Sequence, residues 1–350
     1  MSTVHARNLF DITTVALTTS RASIVGLIII FLGIRLLNIS IPLETQAAIY
    51  LVGMVALNLP HGGYEHFMNL RRRAMKFRGK YILGYLLMAG GFIGLFLLAP
   101  IVGLALSIGI AVAKGGGGDI YVLKSTTGAE HIKSTIQMYL AVGARGGAVM
   151  AVPIVAFPES FHRFSELMVS MIHPEGIGAI GSYFSITGPL IGIGYGLVFI
   201  GHVWLGFRNR EGTGSWEIDV AETILLVVYF AIVPVVIAVG LYFPLWYSAR
   251  QIARELSVDK SPTTQTDILG CPETDPTSVA LRAWFVLIAG ALATASVVVV
   301  FWFAIPNPLP SGSVQLSGVA FWSVFISVIA LPHVAIGGIL DRQRGIWYVP

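Results

Sequence analysis

The chain has one cysteine, Cys271, among 350 residues, so no internal disulfide can staple it. A lone thiol in a Pro-containing loop says nothing about redox compartment. Charge is scarce too: Asp, Glu, Lys and Arg make up 11% of the residues, against about 25% in soluble domains. That shortage excludes a water-soluble globule. No internal repeat or low-complexity stretch stands out beyond Gly115 to Gly118, which lowers the case for a transporter built from symmetric halves. No small-residue cleavage pattern follows the first apolar run, Ala22 to about Ile41, so the run reads as an uncleaved first span behind Arg7 and Arg21.

Apolar length fills the space. Hydrophobic residues account for 55% of the chain and the mean hydropathy is +0.78. Apolar runs fall at about 22–43, 46–62, 81–99, 101–114, 138–157, 188–207, 219–233, 236–257, 279–304 and 316–340, several of them under the roughly 20 residues that a full crossing needs. The expectation is an all-α, polytopic transmembrane helical bundle of about 8–10 membrane segments, forming a single integral membrane domain over 1–350. The 39 glycines, spread through these runs, suit helices that pack closely without a hydrophobic drive between them.

The net charge of +4 is concentrated in a few loops. Arg71, Arg72, Arg73, Lys76, Arg78 and Lys80 form the densest cluster, which places that loop in the cytoplasm and makes nucleic acid a poor partner. Lys124, Lys133, Arg208 and Arg210 then fall on the same side. A single helix over 219–257 is too long for a bilayer and is interrupted by Pro234, so a helical hairpin is expected there. The hairpin returns Arg250, Arg254, Arg342 and Arg344 to the cytoplasmic side, which predicts a multi-pass protein of the cell membrane with both termini in the cytoplasm. The polar stretch 258–278, with Pro262, Pro272 and Pro276, is the one extended loop.

Chemistry-bearing residues are few. His61, Glu65 and His66 sit in Leu59-Pro60-His61-Gly62-Gly63-Tyr64-Glu65-His66 at the end of an apolar run, where polar groups are costly unless they bind or react. On a helix, His61 and Glu65 share a face, so the carboxylate orients the imidazole or joins it on a metal; a helix-end polar cluster fits the same spacing. Lys114 precedes four glycines and Asp119, in a place that suits snorkelling or a carboxylate partner. Trp246, Tyr247, Arg250, Gln251 and Arg254 make a face of aromatic, amide and guanidinium groups that suits an interfacial anchor. His333 lies in the last apolar run and needs a partner. His162, His173 and His202 lie in or beside loops and His5 in the N-terminal tail, with interfacial or solvated surroundings expected. His131, with Glu130 and Lys133, reads as part of a solvated helix.

Taken together the motifs resemble the Brp/Blh family of integral membrane proteins, whose active members are iron-dependent β-carotene 15,15′-dioxygenases that make retinal. The landmarks are Pro60-His61-Gly62 with Glu65 where Asp is usual, a second polar motif ending in Asp119, then Glu222 followed by Pro234 and Gly240-Leu241-Tyr242-Phe243, and the closing Leu331-Pro332-His333. The resemblance implies Fe(2+) as cofactor, a polyene (β-carotene or retinal) and O2 as ligands, surrounding lipid, and a possible opsin partner. It also implies four imidazole ligands, of which His61 alone is histidine here. Lys114, Tyr247 and Gln251 stand at the other three positions. Glu65, His66, Asp119, Glu222 and His333 are the expected partners of those ligands or walls of their pocket.

An imidazole offers iron a neutral nitrogen lone pair, whereas lysine must lose a proton, tyrosine must ionise and glutamine offers a weak carbonyl. The expectation is that the scaffold persists and the iron site does not. A rebuilt site from His61, Glu65, His66 and Asp119 is an alternative. So is a non-enzymatic carotenoid- or retinal-binding or opsin-accessory protein, with a variant in which Lys114 captures retinal as a Schiff base.

Overall fold

The computed structural model describes residues 2–57, 75–174, 178, 181, 184–212, 214–251, 254, 276–332 and 334–335. Among them every regular element is helical. The helices are α1 (Ser2–Leu36), α2 (Leu43–Leu51) continuing as a π-helical turn over Val52–Leu57, α3 (Met75–Leu98), α4 (Pro100–Thr126), α5 (Thr135–Ala156), α6 (Pro158–Ser170), α7 (Phe184–Arg208), α8 (Ser215–Ile232), α9 (Val235–Tyr242), α10 (Pro276–Ala304) and α11 (Val314–Pro332). A second π-helical segment, Phe243–Ser248, extends α9. Thr13–Leu36, α4, α5, α7 and α11 are long and apolar enough to cross a membrane, and Leu43–Leu57, Leu83–Leu98 and Thr294–Ala304 are shorter apolar helices.

Burial is inverted relative to a soluble protein. Ile29, Leu36, Leu98, Leu197 and Phe303 are more than half exposed, while Asp119, Arg145, Asp219, Glu222 and Arg250 are buried. Helices satisfy their own backbone groups, so an apolar exterior of this kind is stable in hydrocarbon and unstable in water.

Helix α5 is the centre of the bundle, packing against α4, α7 and α8. Its closest approach is to α4: a methyl group on Gly116 would overlap the carbonyl of Val142, and one on Gly146 the carbonyl of Val112. Only glycine fits at that crossing, which is how backbones come together where lipid supplies no hydrophobic drive. The sequence suggests a span ending at Lys114, yet α4 runs through the four glycines to Thr126. Packing against α5 and α9 offsets the poor helix propensity of glycine.

The hairpin is present. Val233 and Pro234 are extended (ψ 130° and 132°), which stops α8 and starts α9. The chain then reverses, bringing Arg250 back to Glu222. Of the stretch 258–278, residues 258–275 lie outside the described residues and Pro276 already begins α10. Helix α6 falls between expected spans; Phe161, Phe164 and Met168 face the core and Glu159, Arg163 and Glu166 the other way, so it is amphipathic.

Candidate functional site

Two polar clusters meet where α4, α5, α8 and the end of α9 converge. The first is a buried ion-pair network around Arg145 of α5, whose side chain is wholly inaccessible. Its Nε donates to Asp119 Oδ2 at 2.6 Å, Nη1 to Asp219 Oδ1 at 2.6 Å and Nη2 to Glu222 Oε2 at 2.5 Å. Glu222 in turn accepts a bidentate pair from Arg250, both bonds at 2.8 Å, and a bond from Arg21 Nε at 2.9 Å. Asp119 Oδ1 accepts from Trp246 Nε1 at 3.2 Å and lies 3.2 Å from Arg250 Nε, while the Arg250 guanidinium sits 4.2 Å over the Trp246 ring.

Asp219 Oδ2 faces two imidazoles, with His131 Nε2 at 2.8 Å and His202 Nε2 at 3.1 Å. Ser215 Oγ holds the other nitrogen of His131 at 3.2 Å. Three carboxylates thus face three guanidinium groups. Desolvating that many charges is affordable only because nearly every lone pair has a donor at short range.

These positions revise several sequence expectations. His131 and His202 are buried, not solvated, because each is a partner of Asp219. Arg250 is not a surface anchor: Glu222 and Asp119 draw it inside. Asp119 and Glu222 are both turned into this network. Arg145 and Asp219 were missed altogether. A single arginine in the apolar run 138–157 was the available signal, since such a residue requires an acidic partner.

The second cluster holds Lys114, Tyr247 and Gln251. Lys114 and Gly118 lie on α4; Tyr247 and Gln251 come from the segment that extends α9. Lys114 Nζ is 5.9 Å from the centre of the Tyr247 ring. A methyl group on Gly118 would stand 2.6 Å from Gln251 Nε2 and 2.9 Å from Tyr247 Oη. The three side chains therefore converge. His61, Glu65, His66 and His333 lie outside the described residues.

An ammonium, a phenol and a carboxamide do not fit ferrous iron, for the reasons of proton loss and weak donation given above. Among the described residues no three His, Cys, Asp or Glu side chains are arranged to hold a metal ion.

Near this cluster is an apolar cavity of about 140 Å³. Ala111 and Leu104 of α4, Met54, Val236, Phe243 and Met168 of the amphipathic α6 line it, with a few hydroxyls from Tyr50, Ser107 and Ser323. Tyr50 and Ser323 satisfy one another at 2.8 Å. The Phe243 ring, part of the cavity wall, contacts both Tyr242 and Tyr247, at 5.3 and 5.8 Å between centres.

A family model described as β-carotene 15,15′-dioxygenase matches residues 52–341. A protein of Halobacterium salinarum named "Probable beta-carotene 15,15'-dioxygenase Brp" is 49% identical over 338 residues, covering 95% of this chain and 94% of its own. A second from that organism, "Probable beta-carotene 15,15'-dioxygenase Blh", is 30% identical over 322 residues, 88% of each chain. No solved structure matches.

Proposed function

The chain belongs to the β-carotene 15,15′-dioxygenase family, and from that premise we propose that it is a multi-pass membrane protein of carotenoid and retinal metabolism that binds an apolar polyene without cleaving it. The observation that carries this reading is the convergence of Lys114, Tyr247 and Gln251, one aromatic ring from an apolar cavity. The apolar lining of that cavity suits a stretch of hydrocarbon chain entering from the bilayer. The three residues offer hydrogen bonds and a cation where the family's resemblance places imidazoles.

No step through iron is derived, because the donors at three of its four positions do not suit it. The residues of this chain hold the polyene, exclude water through the apolar walls, and keep α4 and the end of α9 in register through the Asp119–Arg145–Glu222–Arg250 network. The basic loop at Arg71–Arg73 supports an orientation with both termini in the cytoplasm. Delivery of retinal to an opsin is the accessory role consistent with binding without cleavage.

The test is expression in a host that accumulates β-carotene and lacks retinal, with retinal and protein-bound iron both measured. The native chain forms no retinal and copurifies without stoichiometric iron. The triple variant Lys114→His, Tyr247→His, Gln251→His gains iron, and retinal appears. Retinal from the native chain at a level equal to that of the Brp relative overturns the proposal.

A further inference from the structure

We propose that the corner between α7 and α8 seats one anionic phospholipid, its phosphate held by Arg208 and Arg210 and an acyl chain laid along the exposed face of α7. The seat does not depend on the polyene reading above.

Two guanidinium groups without a counterion carry it. Side chains on a helix lean back toward its N-terminus, and the Arg208 guanidinium lies 5.1 Å over the ring of Trp204, itself 53% exposed on the apolar side of α7. The charge thus stands at the lipid-facing surface, about one turn inside the helix end. Arg210 lies 4.1 Å over Phe207 and 5.8 Å from the centre of Trp216. Neither arginine pairs with a carboxylate among the described residues: Glu211 is taken by Lys133, and Glu217, exposed on the first turn of α8, bonds to neither. A cation on that surface with no acid in the protein takes its counterion from the medium, and at this depth the anions are lipid phosphates.

The aromatic floor beneath Arg210 is fixed in place. Trp216 Nε1 donates to the Val203 carbonyl at 3.2 Å, its ring meets that of Phe207 edge-on at 5.5 Å, and a methyl group on Gly206 would stand 2.5 Å from it. A guanidinium stacked on a ring keeps its N–H edge free for phosphate oxygens. Gly206 also faces His131, so the seat backs onto the Asp219 end of the ion-pair network.

An apolar track leads away from the charges. Ile193, Leu197, Ile200 and Trp204 follow one another down one face of α7, each more than half exposed. They extend roughly 16 Å along the helix axis, about one leaflet of hydrocarbon. A free phosphate ion would use the arginines and leave the track bare. A zwitterionic lipid would bring a cation of its own beside the guanidinium pair. An anionic lipid matches both features.

The full chain in mild detergent is offered phosphatidylglycerol and phosphatidylcholine of identical acyl chains, and the bound lipid is counted by native mass spectrometry. Phosphatidylglycerol is retained at least about tenfold over phosphatidylcholine, as two basic side chains at a membrane surface warrant. The double variant Arg208→Gln, Arg210→Gln brings the ratio within about twofold of unity, whereas Lys124→Gln at the end of α4 leaves it unchanged. An unaltered thermal midpoint in phosphatidylcholine nanodiscs reports that the variants fold. Inorganic phosphate at constant ionic strength does not displace the lipid; displacement marks an anion site without a lipid track and overturns the proposal. Equal retention of the two lipids by the native chain overturns it as well, as does a preference that survives the double variant.

Discussion

The Arg145 network and the Lys114–Tyr247–Gln251 cluster are neighbours, built from the same helices, and differ in charge: the first pairs ions, the second gathers mostly neutral polar groups. In the network each carboxylate has two or more cationic or N–H partners within about 3 Å. In the cluster beside it the buried Tyr242 Oη and Gln251 Nε2 have no hydrogen-bond partner, and in the network His202 Nδ1 has none either. The paired charges fix the arrangement of helices, since removing any one of them strands its partner. A neutral group left unpaired costs stability and holds no helix in place. The network is the keystone.

Three substitutions break or sharpen that contrast. Arg145→Met leaves Asp119, Asp219 and Glu222 short of a partner in a dry interior, and costs about 3–5 kcal/mol. The expected outcome is little or no folded protein by fluorescence-detected size exclusion in detergent; a melting temperature near that of the native chain contradicts the keystone assignment. Glu222→Gln keeps the shape but removes the charge shared by Arg250, Arg145 and Arg21, and costs about 1–3 kcal/mol, seen as a clear drop in thermal midpoint with a folded yield. Gly118→Ala places a methyl group against the ends of Gln251 and Tyr247, which are flexible and can shift at a cost of about 1 kcal/mol. Its thermal midpoint moves least of the three. A loss as large as that of Glu222→Gln assigns Gly118 to the rigid helix contact instead.

Much of the architecture was legible in the chain. Pro234 in the middle of a run too long for the bilayer pointed to the hairpin, and the hairpin is there. The glycine run 115–118 looked like the end of a span and is the middle of one, because the need for close approach to α5 and α9 is a property of the neighbours. Lys114, Tyr247 and Gln251 were singled out by resemblance, and their side chains lie together. Burial of His131 and His202 was not legible, since Asp219, their shared partner, is 88 residues from one of them along the chain. His61, Glu65, His66 and His333 lie outside the described residues.

The sequence by itself determined the solvent: too little charge for water and enough apolar length for a bilayer. Tertiary structure alone decided which charges cancel and which donors go unanswered. Pairing is a matter of distance in space, and residues such as Arg145 and Glu222, 77 apart in the chain, become partners only when α5 and α8 are laid side by side.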